Sequence, residues 1–213
     1  MNDRTVFLTL MACCLAAGCS PADEADVSPS PDRRELLDTI AASASGDPAE
    51  NCLLMVWSGQ DESDVEFDRA NDTVEGGAIT CATGTTPSQF EAAIAALREA
   101  ADSGDKARVL EQVGIPLLYI DSQGKRRELG EEQVDELFDE IFDDRVLAML
   151  QRLDLSKMTV EKDRGAFFEL GSLWLVVDDT GRPRVMTVNR QALEEAAIAA
   201  KEQAERGQGK AID

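Results

Sequence analysis

Lys157-Met158-Thr159-Val160-Glu161-Lys162-Asp163-Arg164-Gly165-Ala166-Phe167-Phe168-Glu169-Leu170-Gly171-Ser172-Leu173-Trp174-Leu175-Val176-Val177-Asp178-Asp179-Thr180-Gly181-Arg182-Pro183-Arg184-Val185-Met186-Thr187-Val188-Asn189 is where the chain changes from helical to sheet periodicity. Four segments rich in apolar residues, 157–163, 166–170, 173–178 and 184–189, are parted by Arg164-Gly165, Gly171-Ser172 and Asp179-Thr180-Gly181-Arg182-Pro183. Gly, Asp and Pro supply turn conformations at the breaks, so the stretch predicts successive antiparallel strands. Upstream the period is helical. In residues 131–153, Val134, Leu137, Phe138, Ile141 and Phe142 share one stripe, and Val146, Met149, Leu150 and Leu153 a second. Asp143-Asp144 is expected to cap a break between two helices.

Further upstream, Ile115-Pro116-Leu117-Leu118-Tyr119-Ile120 reads as a strand whose proline suits its first residues or a sheet edge. Gly124 then turns the chain toward residues 125–129. Thr86, Pro87 and Gln89 form the clearest helix start, a cap, a first-position proline and a capping box. Phe90, Ile94, Leu97 and Ala101 lie on one face of that helix, and Ser103-Gly104 stops it. Asp105 caps a second short helix carrying Val109, Leu110 and Val113 up to Gly114. Helices followed by a run of strands predict an α+β fold, with helices packed on one face of a curved antiparallel sheet.

Residues 33–86 read as a helix at 33–45, carried by Leu36, Leu37 and Ile40, followed by an irregular region containing strands. Residues 53–57 and 78–83, and more weakly 65–67, have strand-like apolar runs, with a mobile excursion expected between them. Residues 190–213 are read as an Ala- and Glu-rich helix and a tail.

The first eighteen residues have the form of an export signal. Arg4 is followed by an uncharged apolar run over residues 6–17, too short to span a bilayer, which needs about 20 residues. Leu15-Ala16-Ala17-Gly18-Cys19 then resembles the processing site of a bacterial lipoprotein, which makes Cys19 the candidate lipidation residue. Ser20 and Pro21 follow with no Asp after the cysteine, as in lipoproteins sent to the Gram-negative outer membrane, facing the periplasm. Residues 19–32 are rich in Pro, Ser and acids and read as a disordered tether. With Cys13 and Cys14 in the signal and Cys19 acylated, Cys52 and Cys81 remain for a disulfide or for two buried thiols.

The formal net charge is −21, and it is unchanged when Asp3 and Arg4 leave with the signal. Nucleic acid needs clustered Lys and Arg, so no nucleic-acid role is expected. The chain has no His, which excludes imidazole zinc sites and Ser-His-Asp chemistry. Asp61, Asp64, Asp68 and Asp72 lack the spacing of a calcium loop, and Ser103-Gly104-Asp105-Lys106 lacks the companion motifs of Ser-x-x-Lys enzymes. No catalytic residue, metal site or cofactor is assigned.

The helix around Phe90 resembles part of the nuclear transport factor 2-like (cystatin-like) fold. So do Gly104-Asp105, Val109 and Leu110 leading into Ile115-Pro116-Leu117, the helix around Phe138 and Phe142, and the strand pair over residues 171–189. The resemblance covers residues 87–189 and implies a cone-shaped half-barrel with a pocket between helices and sheet. Tyr119, Phe138, Phe168 and Trp174 are its candidate pocket lining. The reading favoured is a lipid-anchored, non-enzymatic envelope protein that binds a small apolar ligand or a protein partner. A second is an enzyme using carboxylate and Tyr acid-base chemistry in the cone, with Tyr119 and Asp121 as the pair. A third is an acidic inhibitor or interaction protein for a basic envelope partner.

Overall fold

The computed structural model describes residues 48–208. The expected signal, Cys19, the tether and the helix at residues 33–45 lie outside the described residues, as does the tail beyond 208.

Helix α4 (Pro87–Ser103) follows from its cap: the Thr86 hydroxyl accepts from the Gln89 N–H, and the Gln89 side chain accepts in return from the Thr86 N–H. Gly104, at φ 67°, ends it in the left-handed conformation that glycine tolerates best. The predicted stripe of Phe90, Ile94, Leu97 and Ala101 is buried. Asp105 caps α5 (Lys106–Leu110), which stops short of Gly114 because Val113 already belongs to a strand. Strands β3 (Val113–Ile120) and β4 (Arg126–Leu129) form an antiparallel hairpin. In its turn the Asp121 carboxylate accepts from the N–H groups of Gln123 and Lys125. Residues 131–150 divide into α6 (Glu131–Glu136), α7 (Phe138–Ile141) and α8 (Asp144–Leu150). Asp143 caps α8 as expected, and non-helical backbone at Leu137 adds a second break.

The opening stretch forms β5 (Thr159–Glu161), β6 (Gly165–Phe168), β7 (Leu173–Val177) and β8 (Pro183–Asn189), each antiparallel to the next. These strands join the hairpin in one curved, unclosed six-stranded sheet of order β4-β3-β8-β7-β6-β5. The molecule is therefore α+β, with helices packed on a mostly antiparallel sheet. One pairing departs from the expected antiparallel order: β8 runs parallel to β3. The helices α6 to α8 carry the chain back across the sheet, so its last strand arrives beside β3 in the same direction. Pro116 is likewise not on an edge strand, since β3 lies between β4 and β8. The β3–β8 register shifts between Val113 and Leu118, and pairing with β4 begins at Leu117, so the missing N–H of Pro116 falls within an irregularity.

The region before α4 is helical where strands are expected. Helix α1 (Pro48–Trp57) replaces the strand at 53–57, α2 (Val65–Asn71) the one at 65–67, and α3 (Ile79–Thr83) most of the one at 78–83. Pairing there consists of the two-residue strands β1 (Thr73–Val74) and β2 (Gly77–Ala78) and an isolated bridge from Glu75 to Thr159. Leu53, Leu54 and Trp57 satisfy helical spacing as well as a strand-length run does, and Pro48 starts the helix. Cys52 and Cys81 form a disulfide, S–S 2.02 Å, that ties α1 to α3. The core lies between α4, α6 to α8 and one face of the sheet, and contains Phe90, Ile94, Leu117, Tyr119, Ile141, Phe142, Leu173 and Leu175.

Candidate functional site

Tyr119, Phe138 and Phe168 are buried in the core, with 1%, 8% and 3% of their surface exposed. All three belong to the packed core cluster between the helices and the inner face of the sheet. Trp174 lies on the opposite face of the sheet, because it alternates with the buried Leu173 and Leu175. The structure thus brings together three of the four candidate pocket residues and separates the fourth.

A polar cluster lies around the Tyr119 hydroxyl, which donates to the Glu140 carbonyl at 3.4 Å. Arg127 lies 5.0 Å above the Tyr119 ring and pairs with the Glu140 carboxylate. Arg190 donates to the Glu140 carbonyl at 2.9 Å and pairs with Asp143. Burial, only partly offset by Arg190, pushes the Tyr119 hydroxyl above its ordinary pKa of 10.0. Asp121 is held by backbone N–H groups of its own turn. Each charge in the cluster has a partner, and the arrangement ties the end of β3 and β4 to α7 and α9 (Arg190–Gln208).

The outer face of the sheet has a different character. Pairing register aligns Thr159, Phe167, Trp174, Thr187, Leu118 and Glu128 in one row across all six strands. Phe167 and Trp174 stack with ring centroids 4.8 Å apart, and the Arg164 guanidinium sits 5.3 Å from the Trp174 ring while paired with Glu161. Val176 and Met186 extend the apolar surface, and Ile115 is 47% exposed. A Cβ on Gly114 would meet Met186 Sδ at 2.1 Å, so a larger residue there would push the Met186 side chain aside. Outside the core, Phe167, Leu118 and Met186 were not among the sequence candidates, although two-residue alternation around Phe168 and Leu173 identifies that face.

At the end of this face, two open clefts of about 480 Å³ each share Val176 and Val177. One is walled by Met55, Val56, Ala82, Arg164 and the disulfide, the other by Ile115, Asp178, Arg184 and Met186. None of the four sequence-predicted pocket residues lines either. Asp163 and Asp179 line this trough and have no ion pair among the described residues, whereas Asp178 is paired with Arg184. Bonds from the Thr180 hydroxyl and N–H and from the Arg182 N–H hold Asp178 well below the usual carboxylate range.

Three of the four acids spaced along residues 61–72 make structural bonds. Asp64 caps α2; Asp68 accepts from Trp57 Nε1 at 2.8 Å and from the Ser88 N–H at 2.8 Å; Asp72 accepts from the N–H and hydroxyl of Thr80. Ser103 donates to the Ala100 carbonyl while Lys106 pairs with Asp135, so the Ser-x-x-Lys match is a helix turn. Among the described residues no group of three or more metal-ligating side chains gathers, and no helix is long and apolar enough to cross a membrane. No known protein family, curated protein or solved structure matches this chain.

Proposed function

We propose that this chain is a lipid-anchored envelope protein, held at the outer membrane through Cys19 and facing the periplasm, whose folded domain docks a protein partner on its outer sheet face. The observation that carries the reading is the stacked Phe167–Trp174 pair in a row that continues through Thr187 to Leu118, outside the core. Aromatic residues clustered on a rigid sheet are the kind of anchor that concentrates binding energy at protein interfaces. Between the alternatives of a small apolar ligand and a protein, the burial of Tyr119, Phe138 and Phe168 favours the protein, because it leaves the core packed where the small ligand was expected. An open face suits a broad partner better than a drug-sized molecule, which binds best in an enclosed pocket.

The test places a photoreactive residue at Phe167 in the full chain, in its own envelope, and identifies the adduct by mass spectrometry. One protein adduct is expected, lost in a Trp174→Asp variant that keeps its fold. Recovery of the chain without adduct, or an adduct indifferent to Trp174→Asp, rejects the reading.

A further inference from the structure

We propose that the Cys52–Cys81 bridge is a thiol–disulfide exchange site, opened at Cys81 by a dithiol reductant to release α1 while the rest of the domain stays folded. Cys81 is exposed and Cys52 half-buried. Both line the open cleft of about 480 Å³ that Met55 and Val56 also wall, and Met55 is 70% exposed. An attacking thiolate therefore reaches Cys81 Sγ in the folded chain, whereas a bridge sealed in a core meets a reductant only after unfolding. Exposed bridges are the labile ones, because exchange needs access as well as a thiolate. The core, moreover, does not depend on α1. Leu53 and Leu54, the residues that α1 buries, lie outside the cluster joining α4, α6 to α8 and the sheet. The ties that remain once the bridge opens, among them the Trp57–Asp68 bond and the Glu50–Arg69 pair, are noncovalent and partly exposed to water.

The exchange runs in two displacements. A thiolate of the dithiol attacks Cys81 Sγ, a mixed disulfide forms as the Cys52–Cys81 bond breaks, and Cys52 leaves as a thiolate that takes up a proton. The second thiol of the reductant, once deprotonated, attacks the reductant's own sulfur in the mixed disulfide, and Cys81 leaves in the same way. The bridge has then gained two electrons and two protons, and the dithiol has lost both and become a disulfide. Asp163 sets the local charge: its N–H donates to the carbonyl of Ala82, next to Cys81, and its carboxylate on the same cleft has no ion pair among the described residues. That carboxylate repels an incoming thiolate and slows the attack most in low salt. Release of α1 removes the wall that carries Met55 and Val56 and opens the floor at Val176 and Val177, at the end of the outer sheet face. Phe167 and Trp174 take no part in the exchange, so its test and the partner test succeed or fail separately.

The experiment treats the oxidised full chain with dithiothreitol and follows the Cys52 and Cys81 thiols by maleimide labelling and peptide mass spectrometry. The rate is expected to rise in proportion to dithiothreitol and to stay within about twofold in a Tyr119→Ala variant, whose weakened core would speed opening about a hundredfold or more if reduction required global unfolding. Asp163→Asn, a residue type that tolerates the φ of 61° at this position, is expected to raise the rate about two- to threefold in low salt, with the gain fading in high salt. Hydrogen exchange of the reduced chain should lose protection over Pro48–Trp57 and keep it in α4 and in β3 to β8. A rate that follows global stability overturns the proposal. So does an Asp163→Asn rate equal to that of the native chain, or a reduced chain in which α1 stays protected or the whole domain loses protection.

Discussion

Asp68 is fully buried, and its two carboxylate oxygens take the Trp57 indole N–H and the Ser88 N–H at the start of α4. One side chain therefore fastens α1 and α4 to α2, and its removal leaves two half-buried donors without that acceptor. Asp68→Ala is expected to cost roughly 2–5 kcal/mol, read from urea denaturation. Asp72 nearby has the opposite balance. Burial pushes its carboxyl above the ordinary value of 3.8, outweighing the two Thr80 bonds. The folded state then holds this proton more tightly than the unfolded state does. The ionised group lowers stability above its folded pKa, and that penalty disappears as pH falls toward and below 3.8. Asp72→Asn is expected to gain on the native chain at pH 7 and to lose that relative gain near pH 3, as thermal melts across pH will show. Asp154 and Asp178, both shifted down, act in the other direction: what they contribute is present above the ordinary carboxylate pKa and is lost as pH falls below it.

Among the elements, α1 depends most on a covalent tie. It buries only Leu53 and Leu54, and besides those it is held by the Trp57–Asp68 bond, the Glu50–Arg69 pair and the disulfide to α3. Opening the Cys52–Cys81 bridge frees a loop with a sequence separation of 29. The chain-entropy account puts the loss at about 3–4 kcal/mol, so Cys52→Ser with Cys81→Ser should melt well below the native chain. Helix α4 shows how far local signals go. Its cap, its first-position proline, its stripe and its glycine stop were all legible, and Thr86→Ala is expected to cost about 1 kcal/mol by chemical denaturation. Helix α1 shows where they end. An apolar run of strand length, Leu53 to Trp57, fits two periods equally, and burial against α2 and α3 decided between them.

For the molecule as a whole, the two faces of the sheet divide the tasks. The inner face, with Tyr119, Phe168, Leu173 and Leu175, is core; the outer face, with Phe167, Trp174 and Leu118, is half-exposed. Tyr119→Phe removes a 3.4 Å bond to a carbonyl and the hydroxyl's interaction with Arg190, so a stability change within about 1 kcal/mol is expected. Tyr119→Ala, which empties core volume, should cost about 3–5 kcal/mol. Outer-face Trp174→Asp is expected to fold with a smaller penalty than Tyr119→Ala in the same denaturation assay, because it does not open the core. Of the candidate pocket residues, Tyr119, Phe138 and Phe168 lie in the core, whereas Trp174 lies on the outer face of the sheet. Its neighbours Leu173 and Leu175 carry the period-two signal that places it outside.

Caps, turn residues and periodicity were enough to mark α4, α5 and the strands from β3 to β8, because each of those signals acts between residues a few positions apart. They were also enough to limit the chemistry, since a chain without His or clustered cations lacks the groups that several functions require. Three things became definite only when distant segments met: the parallel joining of β8 to β3, the bond between Cys52 and Cys81, and the closing of the interior around Tyr119. Each depends on which surfaces pack together over long separations, and packing energy is a property of the assembled faces rather than of any window of sequence.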